Sequence, residues 1–235
     1  MDKNMLEELK KIVCNANLEL VEKGVVIYTW GNVSGVSEDR KYMVIKPSGL
    51  EYESMTSDDM VVVDIETGKV VDGRWKPSSD TLTHLELYRT YNTIKGIVHT
   101  HSVNAVAFAQ AGREIPVLGT THADYFYGAI PCTRALTKEE VELDYETNTG
   151  KVIVETITKN QIEALAIPGI IVKNHGPFAW GTSPKKAVHN IVVMETIADM
   201  AIKTLSLNSQ SYIEEYILNK HYNRKHGKDA YYGQN

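Results

Sequence analysis

The feature that most constrains this chain is an apolar run that ends in two histidines, Gly96-Ile97-Val98-His99-Thr100-His101-Ser102. The β-branched residues of the run predict a buried strand. Side chains two residues apart on a strand lie on the same face, so the imidazoles of His99 and His101 should lie side by side. Two histidines packed in a core would give the same pattern. A same-face pair nevertheless favours a divalent-metal site, because neutral imidazole is a common metal ligand.

A third histidine follows another predicted strand, Gly169 to Lys173, in the run Asn174-His175-Gly176. Taken alone, His175 is better interpreted as an exposed histidine on a turn. Three histidines at strand ends together favour one metal centre with a coordination position left open for substrate. The other histidines are weaker candidates: His84 and His189 lie on predicted helices, and His221 and His226 lie in a basic C-terminal stretch.

Asp80 has two interpretations. It stands at the start of a predicted helix, where an acidic residue commonly caps the first turn, and the local sequence favours that role. It could also be a carboxylate beside the metal, as a ligand or a base.

Several short turns could bind an anion. The hydroxyl groups of Ser78 and Ser79, with the free N–H groups of the helix that follows, form a natural anion cradle. The runs Lys46-Pro47-Ser48-Gly49 and Gly31-Asn32 add backbone donors and one cation. The chain contains neither a Walker A motif nor a dinucleotide fingerprint, so we do not expect nucleotide binding.

Composition limits the class of protein. With 235 residues, 43% of them hydrophobic and 23% charged, the chain is long enough for one globular domain spanning residues 1–235. A net charge of −5 argues against a nucleic-acid partner. Two cysteines, the lack of a signal-peptide pattern and the lack of an apolar run of ~18 residues favour a cytoplasmic protein without a membrane partner.

The order of predicted elements indicates the fold class. Helical periodicity predicts a first helix that ends before Gly24, and further helices over 103–111 and 184–207. Short β-like runs occupy 33–36, 42–46 and 60–65, and Thr67-Gly68 predicts a hairpin to 69–71. Residues 151–157 fit either a strand or a helix. Hairpins without strict βαβ alternation predict an α/β sandwich with a mostly antiparallel sheet.

Five motifs, read in order, resemble the class II aldolase/epimerase family. They are Thr29-Trp30-Gly31-Asn32-Val33-Ser34, Lys46-Pro47-Ser48-Gly49, Lys76-Pro77-Ser78-Ser79-Asp80, His99-Thr100-His101-Ser102 and Asn174-His175-Gly176. The resemblance runs from the first helix to the last residue. Three further segments resemble the epimerase branch of the family: Gly119 to Gly128, Ile130 to Arg134, and His221 to Gln234. The resemblance implies a single-domain α/β/α sandwich.

The resemblance also implies roles for individual positions. It implies that His99, His101 and His175 bind the metal, with Asp80 as an acidic residue at the metal. Aldolase relatives tend to have glutamate at the position of Asp80, so aspartate favours the epimerase branch. It implies a substrate pocket, most of it around the phosphate, formed by Gly31, Asn32, Lys46, Ser48, Gly49, Ser78 and Ser79. It implies that Asp124 and Tyr232 are the catalytic acid/base residues.

The implied cofactor is one divalent metal ion per subunit, with Zn²⁺ expected and Mn²⁺ or another divalent ion as alternatives. The implied assembly is a homotetramer with active sites between subunits, in which Tyr232 reaches the site of a neighbouring subunit, opposite Asp124. The implied reaction inverts C4 of a ketopentose phosphate by cleavage of the C3–C4 bond, rotation of the aldehyde and re-addition.

Two alternatives remain at this point. One is a class II sugar-phosphate aldolase, which releases the aldehyde. The other is a non-catalytic binding module on the same fold, which the presence of all three histidines disfavours. The sequence leaves open whether the pathway is arabinose use or ascorbate degradation.

Overall fold

The computed structural model describes residues 3–232. Seven strands form one sheet in the order β4-β3-β2-β1-β5-β7-β6, and every pair of neighbours is antiparallel. The strands are β1 (Gly31–Val36), β2 (Tyr42–Ile45), β3 (Val61–Asp64), β4 (Val70–Asp72), β5 (Gly96–Thr100), β6 (Gly169–Val172) and β7 (Gly176–Gly181). The predicted α/β sandwich with a mostly antiparallel sheet is confirmed.

Seven α-helices accompany the sheet in the described part of the chain. They are α1 (Lys3–Glu22), α2 (Thr81–Thr90), α3 (Val103–Ala111), α4 (Thr120–Ala123), α5 (Lys138–Lys159), α6 (Pro184–Leu207) and α7 (Glu215–His226). None of the helices between residues 3 and 232 is both long enough and apolar enough to cross a membrane.

The apolar core lies on both faces of the sheet. Alternate side chains of β1, β5 and β7, such as Val33, Val98 and Ala179, pack with helices α1, α3 and α6. The opposite set, such as Ile97 and Trp180, packs with helices α2 and α5. Because successive strand residues point to opposite faces, this alternation gives a three-layer α/β/α arrangement.

The structure confirms several elements predicted from the sequence and decides one that was left open. Helices α3 and α6 have the predicted bounds, and the predicted hairpin joins β3 to β4. Residues 151–157 are helical and belong to α5, because Val152, Ile153 and Ile157 bury one helical face. Strand β7 was not predicted, since its glycines and proline conceal a strand pattern. Helix α7 was not predicted either, since it has no buried residue and therefore no apolar periodicity.

Candidate metal centre

Three histidines converge where strands β5 and β7 lie side by side. His99 lies on β5, His101 lies one residue beyond the end of β5, and His175 lies in the turn between β6 and β7. The ring centroids of the three pairs are 4.6–5.3 Å apart. One nitrogen of each ring lies within 4.8 Å of the corresponding nitrogens of the other two. The structure thus brings the three predicted ligands to one point.

The hydrogen bonding of His99 tests whether these residues fit a metal ion. The Nδ1 atom of His99 lies 2.9 Å from the Pro177 carbonyl oxygen, which can only accept a hydrogen bond. Nδ1 therefore donates, which leaves Nε2 as the nitrogen through which the neutral ring can bind a metal. Within residues 3–232 this buried Nε2 atom has no hydrogen-bond partner. Burial also lowers the pKa of His101, and it lowers the pKa of His175 to about 3, so both rings are neutral near pH 7. The site fits a divalent metal ion.

Asp80 lies beside the histidines and does not cap helix α2. It occupies the N-cap position, but its carboxylate makes no capping hydrogen bond, so the N-cap interpretation is wrong. Instead, the Asn32 Nδ2 atom donates to Asp80 Oδ2 at 2.7 Å. Burial alone would raise the pKa of Asp80, but the neighbouring His99 and His84 outweigh it and the pKa is lowered. A carboxylate that stays ionised therefore lines the same cavity as the three histidines. Its assignment as a metal ligand stays a prediction.

One cavity of about 390 Å³ contains all the residues predicted to bind metal or substrate. The residues that line this cavity come from elements far apart in sequence: the start of β1, the turn after β2, the turn before α2, and the ends of β5 and β6. The cavity is lined by Gly31, Asn32, Lys46, Ser48, Gly49, Ser78, Ser79, Asp80, His99, His101 and His175, together with Thr29, Trp30, Pro47, Tyr145 and Glu146.

Lys46 gives this cavity a buried amino group. Its side chain is 1% exposed, and its Nζ atom donates to the Leu50 carbonyl oxygen at 2.6 Å and lies over the Tyr52 ring. Burial lowers the pKa of Lys46 to about 8. Gly49 follows with a φ of +67°, a conformation that side chains disfavour. A cation beside a glycine-bearing turn is suited to binding an anion.

Tyr145 and Glu146 also line the cavity, although the sequence analysis assigned no role to either residue. Helix α5 has non-helical backbone angles at Asp144, and the kink places these two residues at the site. The Tyr145 hydroxyl lies 3.3 Å from Nδ1 of His175. No sequence signal marks the two residues, because the kink interrupts the helical periodicity that locates helix faces.

The two predicted acid/base residues lie outside the cavity of their own chain. The Asp124 carboxylate, at the end of α4, accepts hydrogen bonds from Arg224 and His221 on α7, and Lys225 lies 3.6 Å away. The Arg224 guanidinium in turn lies over the Tyr232 ring. Burial alone would raise the pKa of Asp124. The hydrogen bonds from Arg224 and His221 have the larger combined effect, so the pKa is lowered. The catalytic roles of Asp124 and Tyr232 stay predictions.

Comparison with known protein families assigns this chain to one of them. Residues 11–202 match the family described as "Class II Aldolase and Adducin N-terminal domain". The match covers most of the chain and contains all three histidines. The chain belongs to the class II aldolase/adducin family.

Solved structures agree on the fold. An L-fuculose 1-phosphate aldolase superposes with a TM-score of 0.76 at 23% identity, covering 91% of this chain and 94% of that one. L-fuculose 1-phosphate aldolase from Glaciozyma antarctica PI12 gives 0.75 at 19% identity, covering 95% and 84%. YgbL from Escherichia coli, whose description places aldolase, epimerase and decarboxylase side by side, gives 0.71 at 20%, covering 92% and 98%. At these identities the likeness establishes the fold alone.

Proposed function

We propose that this protein is a metal-dependent L-ribulose-5-phosphate 4-epimerase that interconverts L-ribulose 5-phosphate and D-xylulose 5-phosphate. The observation that carries the proposal is one cavity that holds three convergent histidines, an ionised Asp80 and an anion cradle around Lys46. A sugar phosphate offers the matching groups, because it has adjacent oxygens at one end and a phosphate at the other.

The cradle residues would bind the phosphate. Lys46 supplies a positive charge, and the turns that carry Ser48, Gly49, Ser78 and Ser79 supply hydroxyl and N–H donors. Gly31 and Asn32 complete this wall of the cavity. An anchored phosphate keeps the two-carbon aldehyde in place after the C3–C4 bond breaks, which recapture of the aldehyde requires.

His99, His101 and His175 would hold the metal ion, with Asp80 as a further acidic group. A divalent metal bound there supplies positive charge that stabilises the negative charge left on the three-carbon fragment. Zn²⁺ fits three imidazoles with an open position, and Mn²⁺ or another divalent ion is the alternative.

Inversion at C4 needs proton transfer on two faces of the aldehyde. One group removes the C4 hydroxyl proton as the C3–C4 electron pair moves to C3. After the aldehyde rotates, a group on the other face returns a proton to the C4 oxygen as the bond re-forms. We assign these roles to Asp124 and Tyr232. Since both lie outside the cavity of their own chain, the assignment requires a neighbouring subunit, and a homotetramer with intersubunit sites supplies one.

A class II sugar-phosphate aldolase is the second candidate. The fuculose-phosphate aldolases that share the fold favour it. Against it, position 80 is aspartate rather than the glutamate typical of aldolase relatives, and by resemblance this favours the epimerase branch.

The proposal further includes one catalytic domain over residues 1–235, a cytoplasmic location, and a role in arabinose use or ascorbate degradation.

Product analysis separates the candidates. Purified protein loaded with Zn²⁺ and incubated with L-ribulose 5-phosphate should give D-xylulose 5-phosphate with the total pentose phosphate conserved. An aldehyde-trapping reagent should recover almost no free aldehyde. Stoichiometric release of a two-carbon aldehyde phosphate would establish the aldolase instead, and the absence of any turnover would favour a binding module.

A further inference from the structure

Asp59 is a buried carboxylate that does not line the cavity and has no role in the proposed reaction. It ends a short 3₁₀ turn, Ser57–Asp59, that precedes β3, and it is 3% exposed. Burial alone would raise the pKa of Asp59, but hydrogen bonds from Trp75, Arg74 and Thr56 outweigh it and hold the pKa well below its ordinary value. A buried carboxylate is costly unless donors compensate its charge, so the positions of these donors are informative.

The two carboxylate oxygens of Asp59 bind different parts of the chain. Oδ2 accepts hydrogen bonds from the backbone N–H and the hydroxyl of Thr56, at 2.9 and 2.8 Å. Oδ1 accepts hydrogen bonds from Arg74 Nη2 at 2.5 Å and from Trp75 Nε1 at 2.8 Å. Arg74 and Trp75 lie in the linker of residues 73–80 between β4 and α2. One oxygen therefore belongs to a local turn, and the other binds the linker.

The first residues of this linker are largely exposed. The side chain of Arg74 is 68% exposed and Trp75 is 44% exposed, so apolar burial contributes little to their position. The linker passes close to β3, since a Cβ atom at Gly73 would lie 3.2 Å from the Cα atom of Val61. An exposed segment keeps one conformation where specific contacts offset its conformational entropy. The bonds to Asp59 are such contacts.

The same linker carries one wall of the anion cradle. The Ser48 N–H donates to the Lys76 carbonyl oxygen, and the Ser78 N–H donates to the Lys46 carbonyl oxygen, each at 3.0 Å. These two hydrogen bonds join the turn after β2 to the turn before α2. Lys76 directly follows Trp75, so the segment that Asp59 binds leads straight into the wall of the cradle.

We propose that Asp59 is a positioning residue for phosphate binding: by binding the start of the linker, it keeps Ser78 and Ser79 against the turn after β2. A cradle that is already ordered spends no binding free energy on bringing its two turns together. This inference rests on the phosphate site of the proposed function, but the order of the linker does not depend on the reaction that follows.

Asp59→Asn breaks the contact with the linker and retains the local turn. The backbone N–H of Thr56 can only donate, so the amide oxygen of the asparagine must face Thr56. The NH₂ group then faces the donors of Arg74 and Trp75, and neither bond can form. Trp75→Phe removes one of the same bonds and retains a ring.

Asp64→Asn is the matched control. It makes the same chemical change at the other end of β3, in a carboxylate that accepts hydrogen bonds from the backbone N–H and the hydroxyl of Thr67, within the β3–β4 hairpin. It touches neither the linker nor the cradle.

Steady-state kinetics of the Zn²⁺-loaded, full-length protein test the effect on binding. Asp59→Asn should raise KM for L-ribulose 5-phosphate about 10-fold and change kcat less than about 2-fold, because losing an interaction present in both ground and transition states raises KM alone. The inhibition constant of inorganic phosphate should rise by a similar factor. Trp75→Phe should give a smaller rise in both constants, and Asp64→Asn should give wild-type values. A lower melting temperature of Asp59→Asn with an unchanged KM would show a purely structural role and overturn the proposal.

Amide hydrogen exchange tests the same contact without any reaction. In Asp59→Asn the amides of Ser48 and Ser78 should exchange about 10-fold faster or more than in wild type, because the bonds between the two turns open more often. In Asp64→Asn they should exchange at wild-type rates. If Asp59→Asn does not fold, Trp75→Phe decides, and wild-type exchange at both amides in that variant refutes the proposal.

Failure of the proposed function has a different signature. If the wild-type protein neither converts L-ribulose 5-phosphate nor binds inorganic phosphate, the proposed phosphate site is wrong. The exchange rates of Ser48 and Ser78 still decide whether Asp59 holds the two turns together.

Discussion

Asp124 and Tyr232 lie on two sides of one guanidinium group, that of Arg224. Two Arg224 nitrogens donate to the Asp124 carboxylate at 2.8 and 3.1 Å, and the guanidinium carbon lies 4.5 Å from the centre of the Tyr232 ring. One chain therefore presents both proposed proton-transfer groups together, outside its own cavity.

This arrangement predicts a specific pattern of subunit complementation. If a neighbouring chain supplies both groups, mixing Asp124→Asn chains with Tyr232→Phe chains restores no site, since every contributing chain lacks one group. Mixing Asp124→Asn with His99→Gln chains should restore about one site in four by random association. Turnover is measured after exchange has been verified with differently tagged chains. Recovery in the first mixture would show that the two groups come from different chains.

Asp124→Asn by itself should lower turnover by ~10²-fold or more, because asparagine cannot exchange a proton. The substitution also weakens the contacts that hold α7 against α4, so stability must be measured beside the kinetics. Arg224→Lys retains a cation at the Asp124 carboxylate and serves as the comparison. A turnover loss no larger than the loss of folded protein would mean that Asp124 only anchors α7.

Metal removal should abolish turnover reversibly and lower the melting temperature, because an ion bound only by the native state stabilises that state. Elemental analysis of the purified protein should find about one divalent ion per chain. His101→Gln should lose the metal, whereas His189→Gln, at an exposed histidine that does not line the cavity, should retain it. A metal-free protein with full activity would contradict the assignment of the histidines.

The value of kcat/KM should fall as the pH rises through about 8, where Lys46 loses its charge. Burial lowers the Lys46 pKa, so the amino group is charged below that pH and attracts the phosphate, and it is neutral above it. The pH profile of Lys46→Arg should lack this step, because arginine stays charged. The same step in Lys46→Met would assign it to another group.

Gly31→Ala should destabilise the protein by about 1–3 kcal/mol and weaken metal binding. A Cβ atom at Gly31 would lie 2.7 Å from Val26 Cγ1 and 3.0 Å from the His99 carbonyl oxygen, so β1 or β5 must shift. Gly119→Ala is the matched control, since nothing lies within 4 Å of a Cβ built there. Thermal unfolding and Zn²⁺ titration measure the two effects, and equal behaviour of both variants would contradict the close approach.

The sequence by itself determined the elements whose residues alternate or repeat regularly. The β-branched run before His99 predicts β5, helical spacing predicts α3 and α6, and Thr67-Gly68 predicts the β3–β4 hairpin. It also identified the three histidines, because two of them share a strand face and the third follows a strand. These features follow from the two-residue period of a strand and the 3.6-residue period of a helix, and both periods are visible in residues close together in the sequence.

Only the tertiary structure decided the rest, because it depends on contacts between residues far apart in sequence. Local sequence makes Asp80 a helix cap, but pairing of β1 with β5 sets Asn32 opposite His99, and the Asn32 amide donates to the Asp80 carboxylate. The kink in α5 places Tyr145 at the site, and the packing of α7 on α4 places Tyr232 near Asp124. No local pattern encodes such contacts, since the free energy that fixes them comes from burial and pairing in the assembled fold.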